Sequence, residues 1–128
     1  MAELVKDLMR HGAVTCSLDT SVKEIAQIMV VNRIRYVVTT DDHGAVAGII
    51  SARSLLKAWG QDLDKTVARD ILLPYTFTTT PETPLSEAIR IMQKGRIQHL
   101  VIVSEQAPQK RVVGILSAVD LVRHMARN

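Results

Sequence analysis

Ser117 and Asp120 stand three residues apart, directly after the apolar segment 112–116, and residues of these types can do two kinds of chemistry. If Ser117 opens a helix, the first N–H groups of that helix attract an anion such as phosphate, and the Asp120 carboxylate can accept hydrogen bonds from both hydroxyls of a ribose. The same spacing is typical of a capping pair that only stabilises the start of a helix. The two roles are compatible, and the motif alone leaves both open.

A second copy of this motif occurs in the first half of the chain, where Ser51 and Ser54 occupy the positions of Ser117 and Asp120. The sequence contains an internal repeat. The two copies align at an offset of 63 residues in their first part and 66 residues in their later part. The aligned segments are 22–34 with 85–97 and 48–52 with 114–118. The extra residues lie in the polar segment 104–111, as expected of an insertion in a surface loop.

Both halves show the hydrophobic pattern of a β-α-β-β-α unit. Apolar residues at helical spacing predict helices near 22–34 and 85–97, with Thr20 and Thr83 as N-caps. Short and almost wholly apolar segments predict strands that are buried on both faces. These segments are 34–39, 46–50, 97–103 and 112–116. The predicted domains are the two repeats, 1–62 and 63–128.

The composition indicates a globular chain in a reducing compartment. Of the 128 residues, 47% are apolar and only 3% are aromatic, so the core must be mostly aliphatic. The net charge is +3, but Lys and Arg are scattered among 13 acidic residues, which argues against a nucleic-acid partner. The chain has no signal-peptide pattern, no apolar run long enough for a bilayer and a single cysteine. We therefore expect a cytoplasmic protein with no membrane partner.

The sequence lacks the patterns that are typical of catalysis or metal binding. It contains no nucleophile-elbow motif and no P-loop. The four histidines lack the spacing of metal ligands. Cys16 has no activating partner nearby in the sequence, which predicts a buried or inert thiol. We therefore expect no enzymatic activity, no catalytic residues and no metal site.

Taken together, the two repeats resemble the paired CBS (cystathionine-β-synthase-type) domain, or Bateman module. The resemblance covers nearly the whole chain. In the first repeat it rests on VKDLM, TSVKEIAQIMVVNRIRYVV and GAVAGIISARSLL, and in the second on ARDIL, TPLSEAIRIMQKGRIQHLVIV and RVVGILSAVDLV. It implies an α/β (α+β) fold of two pseudo-twofold related β-α-β-β-α repeats packed through their sheets. It also implies a regulatory module that binds AMP, ADP, ATP or S-adenosylmethionine in the cleft between the repeats, as a regulatory ligand and not a catalytic cofactor.

The family's binding signature is glycine, two apolar residues, Ser or Thr, two variable residues and Asp, and residues 114–120 match it in full. The residues that the resemblance implies at this site are Met9, Gly12, Val14, Ile34, Arg35, Gln98, His99, Ile115, Ser117 and Asp120. Arg35 and His99 are the candidates for contact with a phosphate, although a surface arginine and a strand-edge histidine would look the same in the sequence. Met9 equally suits the apolar core.

The first repeat departs from the signature, because Ser54 stands where the family has Asp. A serine hydroxyl can offer a ribose only one weaker hydrogen bond. We therefore expect the pseudo-symmetric site to be weak or empty. The residues implied there are Ile49, Ser51, Ser54, Leu72, Pro74 and Ile97.

The resemblance also implies a homodimer. The helices that end the repeats offer more apolar surface than one small domain easily hides. The residues concerned are Leu55, Leu56, Trp59, Leu121, Val122 and Met125. A regulated protein that the sequence does not identify would be a further partner. The alternative interpretation is a ligand-free dimerisation or protein-interaction module.

Overall fold

The computed structural model describes residues 3–73, 77–106 and 110–127, and the chain divides into two compact units. One unit is Val14–Thr76, and the other joins Met1–Ala13 to Phe77–Asn128. The segment that begins the first repeat in sequence therefore belongs to the unit that contains the second repeat. The compact units and the predicted sequence repeats divide the chain at different positions.

The elements alternate in the order that the two repeats predict. They are α1 (Val5–Leu8), β1 (Arg10–His11), β2 (Thr15–Ser17), α2 (Val22–Asn32), β3 (Tyr36–Thr40), β4 (Val46–Ser51), α3 (Ala52–Leu55), α4 (Ala68–Ile71), β5 (Thr78–Thr79), α5 (Leu85–Gly95), β6 (His99–Ser104), β7 (Arg111–Ser117) and α6 (Ala118–Arg127), with a 3-10 turn at Leu56–Ala58 after α3. The pattern β-α-β-β-α occurs as β2 to α3 and again as β5 to α6, which confirms the predicted fold class.

The unit Val14–Thr76 is built on the three-stranded sheet β2-β3-β4. β2 runs parallel to β3, and β4 runs antiparallel to it. The side chains of Ile25, Val37 and Ile50 are fully buried and form the centre of an aliphatic core between the sheet and the helices. The two-sided burial predicted for the apolar strands is present in β3, where four successive residues are buried.

The second unit is built on the four-stranded sheet β1-β7-β6-β5. β5 runs parallel to β6, whereas β7 is antiparallel to both β6 and β1. Its aliphatic core includes Val5 from α1, Ala88 from α5, and Leu100 and Leu116 from the central strands, all fully buried. The short strand β1 is an addition that the hydrophobic pattern did not predict.

The starts of the two long helices differ from the prediction by one residue. Ser21 is the N-cap of α2 and its hydroxyl accepts a hydrogen bond from the N–H of Glu24 at 3.1 Å, while Pro84 precedes α5 without a side-chain cap. The hydroxyls of Thr20 and Thr83 accept N–H bonds from the turn before each helix. The prediction of Thr20 and Thr83 as N-caps was therefore wrong, because these side chains close the preceding turn instead.

The apolar surface of the closing helices also differs from the prediction in two residues. Leu55 and Leu121 are partly buried and pack against the cores of their own units, so they do not add to an exposed apolar face. The large apolar side chains that are exposed there are Leu56, Trp59, Val119, Val122 and Met125. Within residues 3–73, 77–106 and 110–127, no helix is long and apolar enough to cross a membrane.

Candidate functional site

The predicted Ser117–Asp120 pair lies where β7 ends and α6 begins. The Ser117 hydroxyl donates to Oδ2 of Asp120 at 2.8 Å, and the backbone N–H of Asp120 donates to Oγ of Ser117 at 3.2 Å. The helix cap is therefore present, and it also holds the Asp120 carboxylate in one orientation. The Asp120 side chain is 14% exposed, so the carboxylate is largely enclosed but reachable from solvent.

Two arginine side chains face this carboxylate. Nε of Arg10 lies 3.4 Å from Oδ2 of Asp120, and Nη1 of Arg123 lies 3.7 Å from Oδ1. The two arginine side chains are 51% and 60% exposed. The carboxylate is thus flanked by two guanidinium groups, which leaves the cluster with a local excess of positive charge.

Sequence reasoning selected neither arginine. Arg123 stands three residues after Asp120 on one helix, and that spacing could have identified it. Arg10 is brought to the site only by the pairing of β1 with β7, in which Arg10 lies opposite Ile115. A pairing between residues so distant in sequence has no local signal.

Gly114 explains how β1 can approach β7 so closely. A Cβ atom on Gly114 would lie 2.4 Å from the carbonyl oxygen of Arg10, a distance that real Cβ atoms essentially never show. A glycine within a strand lets another group approach its backbone closely. In this structure the group is the backbone of β1, and the close approach places Arg10 beside Asp120.

The equivalent position in the first repeat has a different composition. Ser54 is buried, its N–H donates to Oγ of Ser51 at 3.2 Å, and the two hydroxyls lie 3.1 Å apart. Gly48 again makes room for a backbone, since a Cβ there would lie 2.9 Å from the carbonyl oxygen of Leu73. Leu73 and Ser54 of the unit Val14–Thr76 therefore stand where the other unit has Arg10 and Asp120.

Gln98 and His99 lie beside the start of α6. The carbonyl oxygen of Gln98 accepts the N–H of Ala118 at 2.9 Å, and His99 pairs with Ser117 in the ladder between β6 and β7. Gln98 is exposed, whereas His99 is half-buried. Both residues are therefore within the neighbourhood of the Ser117–Asp120 pair.

Other implied residues of this unit have structural roles. Met9 belongs to the aliphatic core, which was the alternative to a binding role. The side chain of Ile115 is fully buried. Gly12 is exposed and has a positive φ of 80°, so it ends β1 in a conformation that L side chains rarely adopt.

The remaining implied residues belong to different parts of the chain. Val14, Ile34 and Arg35 belong to the unit Val14–Thr76, and Arg35 is exposed there. Of the residues implied at the weaker site, Ile49, Ser51, Ser54 and Leu72 belong to the same unit, and Ile97 belongs to the other. Pro74 lies outside the described residues.

One cavity of about 390 Å³ lies in the unit that contains Asp120. Its described lining residues are Met9, His11, Thr80, Pro81, Glu82, Ser104, Glu105, Gln106 and Val113. Met9 is the one implied site residue among them, and neither Ser117 nor Asp120 contributes. The cavity and the carboxylate site are therefore separate features.

Cys16 is buried, as predicted. Burial raises the pKa of its thiol above the ordinary value, and the hydrogen bond with the hydroxyl of Thr39, at 3.5 Å, opposes that rise. The group therefore remains a thiol at neutral pH. In the part of the chain that the structure describes, no three His, Cys, Asp or Glu side chains come together to form a metal site.

Comparison with known proteins identifies the repeats. The family model of the CBS domain matches residues 5–60 and 68–127. The crystal structure of the CBS domain pair of protein MJ0100, in complex with 5′-methylthioadenosine and S-adenosyl-L-methionine, superposes with a TM-score of 0.87 at 26% identity. The superposition covers 99% of this chain and 98% of that one.

Curated relatives match over almost the whole of this chain but only part of their own. The L-aspartate semialdehyde sulfurtransferase of Methanocaldococcus jannaschii is 28% identical over 120 residues, 94% of this chain and 23% of that protein. The homoserine O-acetyltransferase of Methanosalsum zhilinae is 29% identical over 117 residues, 91% of this chain and again 23% of that protein. The chain thus spans about a quarter of the length of these relatives.

Proposed function

The chain belongs to the CBS domain family, and from this premise we propose that it is a regulatory module that binds an adenine nucleotide or an adenosyl compound at Asp120. The observation that carries the proposal is the Asp120 carboxylate at the first turn of α6, held by Ser117 and still open to solvent. The proposed role is regulatory and not catalytic. The ligand would be AMP, ADP, ATP or S-adenosylmethionine.

The carboxylate suits the ribose that these ligands share. A carboxylate can accept a hydrogen bond from each of two neighbouring hydroxyls, and bonds to a charged acceptor are stronger than neutral ones. Because Ser117 already orients the group, little side-chain freedom is lost on binding. The ligands named for the MJ0100 pair both contain adenosine, which supports this ligand class.

The proposed site includes residues beyond this carboxylate. Gln98 and His99 beside α6 are proposed to contact the ligand, and His99 would face a phosphate if the ligand has one. We propose that Arg35 also contacts a phosphate of the ligand. Val14 and Ile34 are proposed to contact the ligand as well. The site at Ser54 is proposed to be weaker, because its hydroxyl also caps α3.

Asp120→Asn tests the proposal, because it removes the charge and keeps the size of the side chain. Titration calorimetry with adenosine, AMP, ADP, ATP, 5′-methylthioadenosine and S-adenosylmethionine should show binding by the wild type. The variant should bind about tenfold to a hundredfold more weakly, the effect expected from losing charge-assisted hydrogen bonds. Asp70→Asn is the matched control, because Asp70 caps α4 through the N–H of Val67 in the other unit.

A purely structural role for Asp120 predicts the opposite combination. The variant would then melt at a lower temperature without ligand, with a loss of about 0.5–2 kcal/mol as expected for a broken helix cap. It would keep the wild-type affinity and gain as many degrees on ligand addition. That result would contradict the proposed site.

A second candidate function is a homodimeric interaction module, with or without a ligand. The observation that favours it is the exposed apolar face of α6, formed by Val119, Val122 and Met125. Such a face on a helix is typical of an interface. We propose that a second copy of the chain covers it, and light scattering measures the resulting mass. A regulated protein remains a proposed further partner.

A further inference from the structure

We infer that Arg10 decides which class of adenine ligand the Asp120 site accepts, so that the site prefers nucleoside phosphates to uncharged or cationic adenosyl compounds. The inference rests on the proposed function and deepens it. The CBS signature, residues 114–120, does not include Arg10. Arg10 reaches Asp120 from β1.

The Arg10–Asp120 ion pair is easily exchanged. Nε of Arg10 is 3.4 Å from the carboxylate, and the arginine side chain is about half exposed at 51%. Ion pairs of this exposure contribute little to stability, since water screens both charges and the long side chain loses freedom. Ser117 holds the carboxylate through a shorter bond of 2.8 Å. Asp120 therefore keeps its orientation when Arg10 leaves.

A bound nucleotide would take the place of Arg10 at the carboxylate. The ribose hydroxyls would donate to Oδ1 and Oδ2 of Asp120, the atoms that the two guanidinium groups face. The released guanidinium of Arg10 is planar and always charged, and it presents paired N–H donors that match phosphate oxygens. Arg10 would thus exchange the carboxylate of Asp120 for the phosphate of the ligand.

The charge of the cluster favours an anion. With Asp120 neutralised by one arginine, the second guanidinium, from Arg123, remains as an excess positive charge. A nucleoside monophosphate is a dianion near neutral pH, whereas 5′-methylthioadenosine is uncharged and S-adenosylmethionine carries a sulfonium. Electrostatic complementarity therefore separates these ligands more than shape does.

The unit Val14–Thr76 supports a joint role for the two charges. At the equivalent positions it has Leu73 in place of Arg10 and Ser54 in place of Asp120. The cation and the anion are thus present together in one unit and replaced together in the other. A purely architectural arginine on β1 would have no reason to follow the presence of Asp120.

Titration calorimetry on the full chain tests the inference with AMP, adenosine and 5′-methylthioadenosine as probes. The wild type should bind AMP at least about tenfold more tightly than either uncharged compound, as expected for a charge-assisted contact. Arg10→Gln should lose about tenfold or more for AMP and less than about threefold for adenosine. Arg10→Lys, which keeps the charge without the paired donors, should be intermediate.

Arg90→Gln is the matched control, because it removes the same charge from an exposed position on α5. It should leave all three affinities unchanged. Thermal unfolding of each variant tests whether the fold is intact.

Equal affinity of the wild type for AMP and 5′-methylthioadenosine would overturn the inference and leave the proposed function in place. The same loss for AMP and adenosine in Arg10→Gln would also overturn it. Failure of the wild type to bind any adenine compound would overturn the proposed function itself.

Discussion

The Asp120 carboxylate contacts Ser117 at the start of α6 and also faces two solvent-exposed arginine side chains. Its Oδ2 accepts the Ser117 hydroxyl, which stabilises the first turn of α6, while both oxygens face guanidinium groups. The stability of α6 and the proposed binding therefore depend on the same residue. This coupling is why the proposed test compares affinity with melting temperature and does not rely on either alone.

Gly114 is the residue on which the position of Arg10 depends. Gly114→Ala should destabilise the protein by about 2–3 kcal/mol, because the added Cβ meets the carbonyl oxygen of Arg10 and the strand must shift. It should also weaken AMP binding by moving Arg10 away from Asp120. Urea unfolding and calorimetry measure the two effects.

Gly60→Ala is the control for loss of a glycine. Gly60 has a φ of 89° and nothing within 4 Å of an added Cβ, so only the backbone conformation opposes the change, at about 1 kcal/mol. Equal destabilisation by the two substitutions would contradict the argument, because it would mean that β1 moves aside without resistance.

At the residue level, the sequence predicted what is local and missed what is distant. Ser117 and Asp120 are three residues apart, so their contact follows from helix geometry. The contact of Arg10 with Asp120 depends on the pairing of two strands at opposite ends of the chain, which no spacing rule contains. The alignment of the repeats does not show this contact either, because Arg10 lies in the first repeat and Asp120 in the second.

The helix α6 carries both charged side chains and exposed apolar side chains. Asp120 and Arg123 belong to the proposed ligand site, whereas Val119, Val122 and Met125 are exposed to solvent. Apolar side chains at this spacing lie on neighbouring turns of a helix. A partner bound to this helix would therefore be close to the residues that contact the ligand.

The proposed homodimer should depend on this helix. Light scattering should give twice the chain mass of 14.2 kDa for the wild type. Val122→Glu should shift the mass towards the monomer, because burying a charge at an apolar interface is unfavourable. Lys65→Glu, a charge change at an exposed loop position, is the control and should remain dimeric. A wild type that is monomeric at high concentration would contradict the prediction.

The helices and strands were predictable because their patterns are local. The residue at which a helix begins and the side of a helix that is buried were not. The strand and helix order follows from the apolar segments, and it is present twice. Leu55 and Leu121 were wrongly assigned to an exposed face, since periodicity shows which residues are apolar and not which side of a helix meets the core. The N-cap error at Thr20 has a similar cause, because neighbouring Thr and Ser are both suitable caps and only the structure chooses Ser21.

At the scale of the whole molecule, the repeats have diverged in charge while keeping their architecture. Both have the glycine that admits a backbone and both have a capped helix after the second strand of the hairpin. Only the unit that joins Met1–Ala13 to Phe77–Asn128 has the pair of Arg10 and Asp120. The duplication could be read from the sequence, whereas the exchange of the leading segment between compact units could not, because both arrangements satisfy the same hydrophobic pattern.

This divergence predicts unequal sites. A carboxylate that accepts two ribose hydroxyls gains about 1.5–3 kcal/mol for each bond, while a neutral hydroxyl gains about 0.5–1.5 kcal/mol. Ser54 is also buried and already bonded to Ser51. Calorimetry should therefore show one dominant site per chain and a second that is at least about tenfold weaker. Asp120→Asn should weaken the dominant site by about tenfold to a hundredfold, whereas Ser54→Ala should affect only the weak one. Two sites of equal affinity in the wild type would contradict the assignment, because they would show that the charge of Asp120 has no part in holding the ligand.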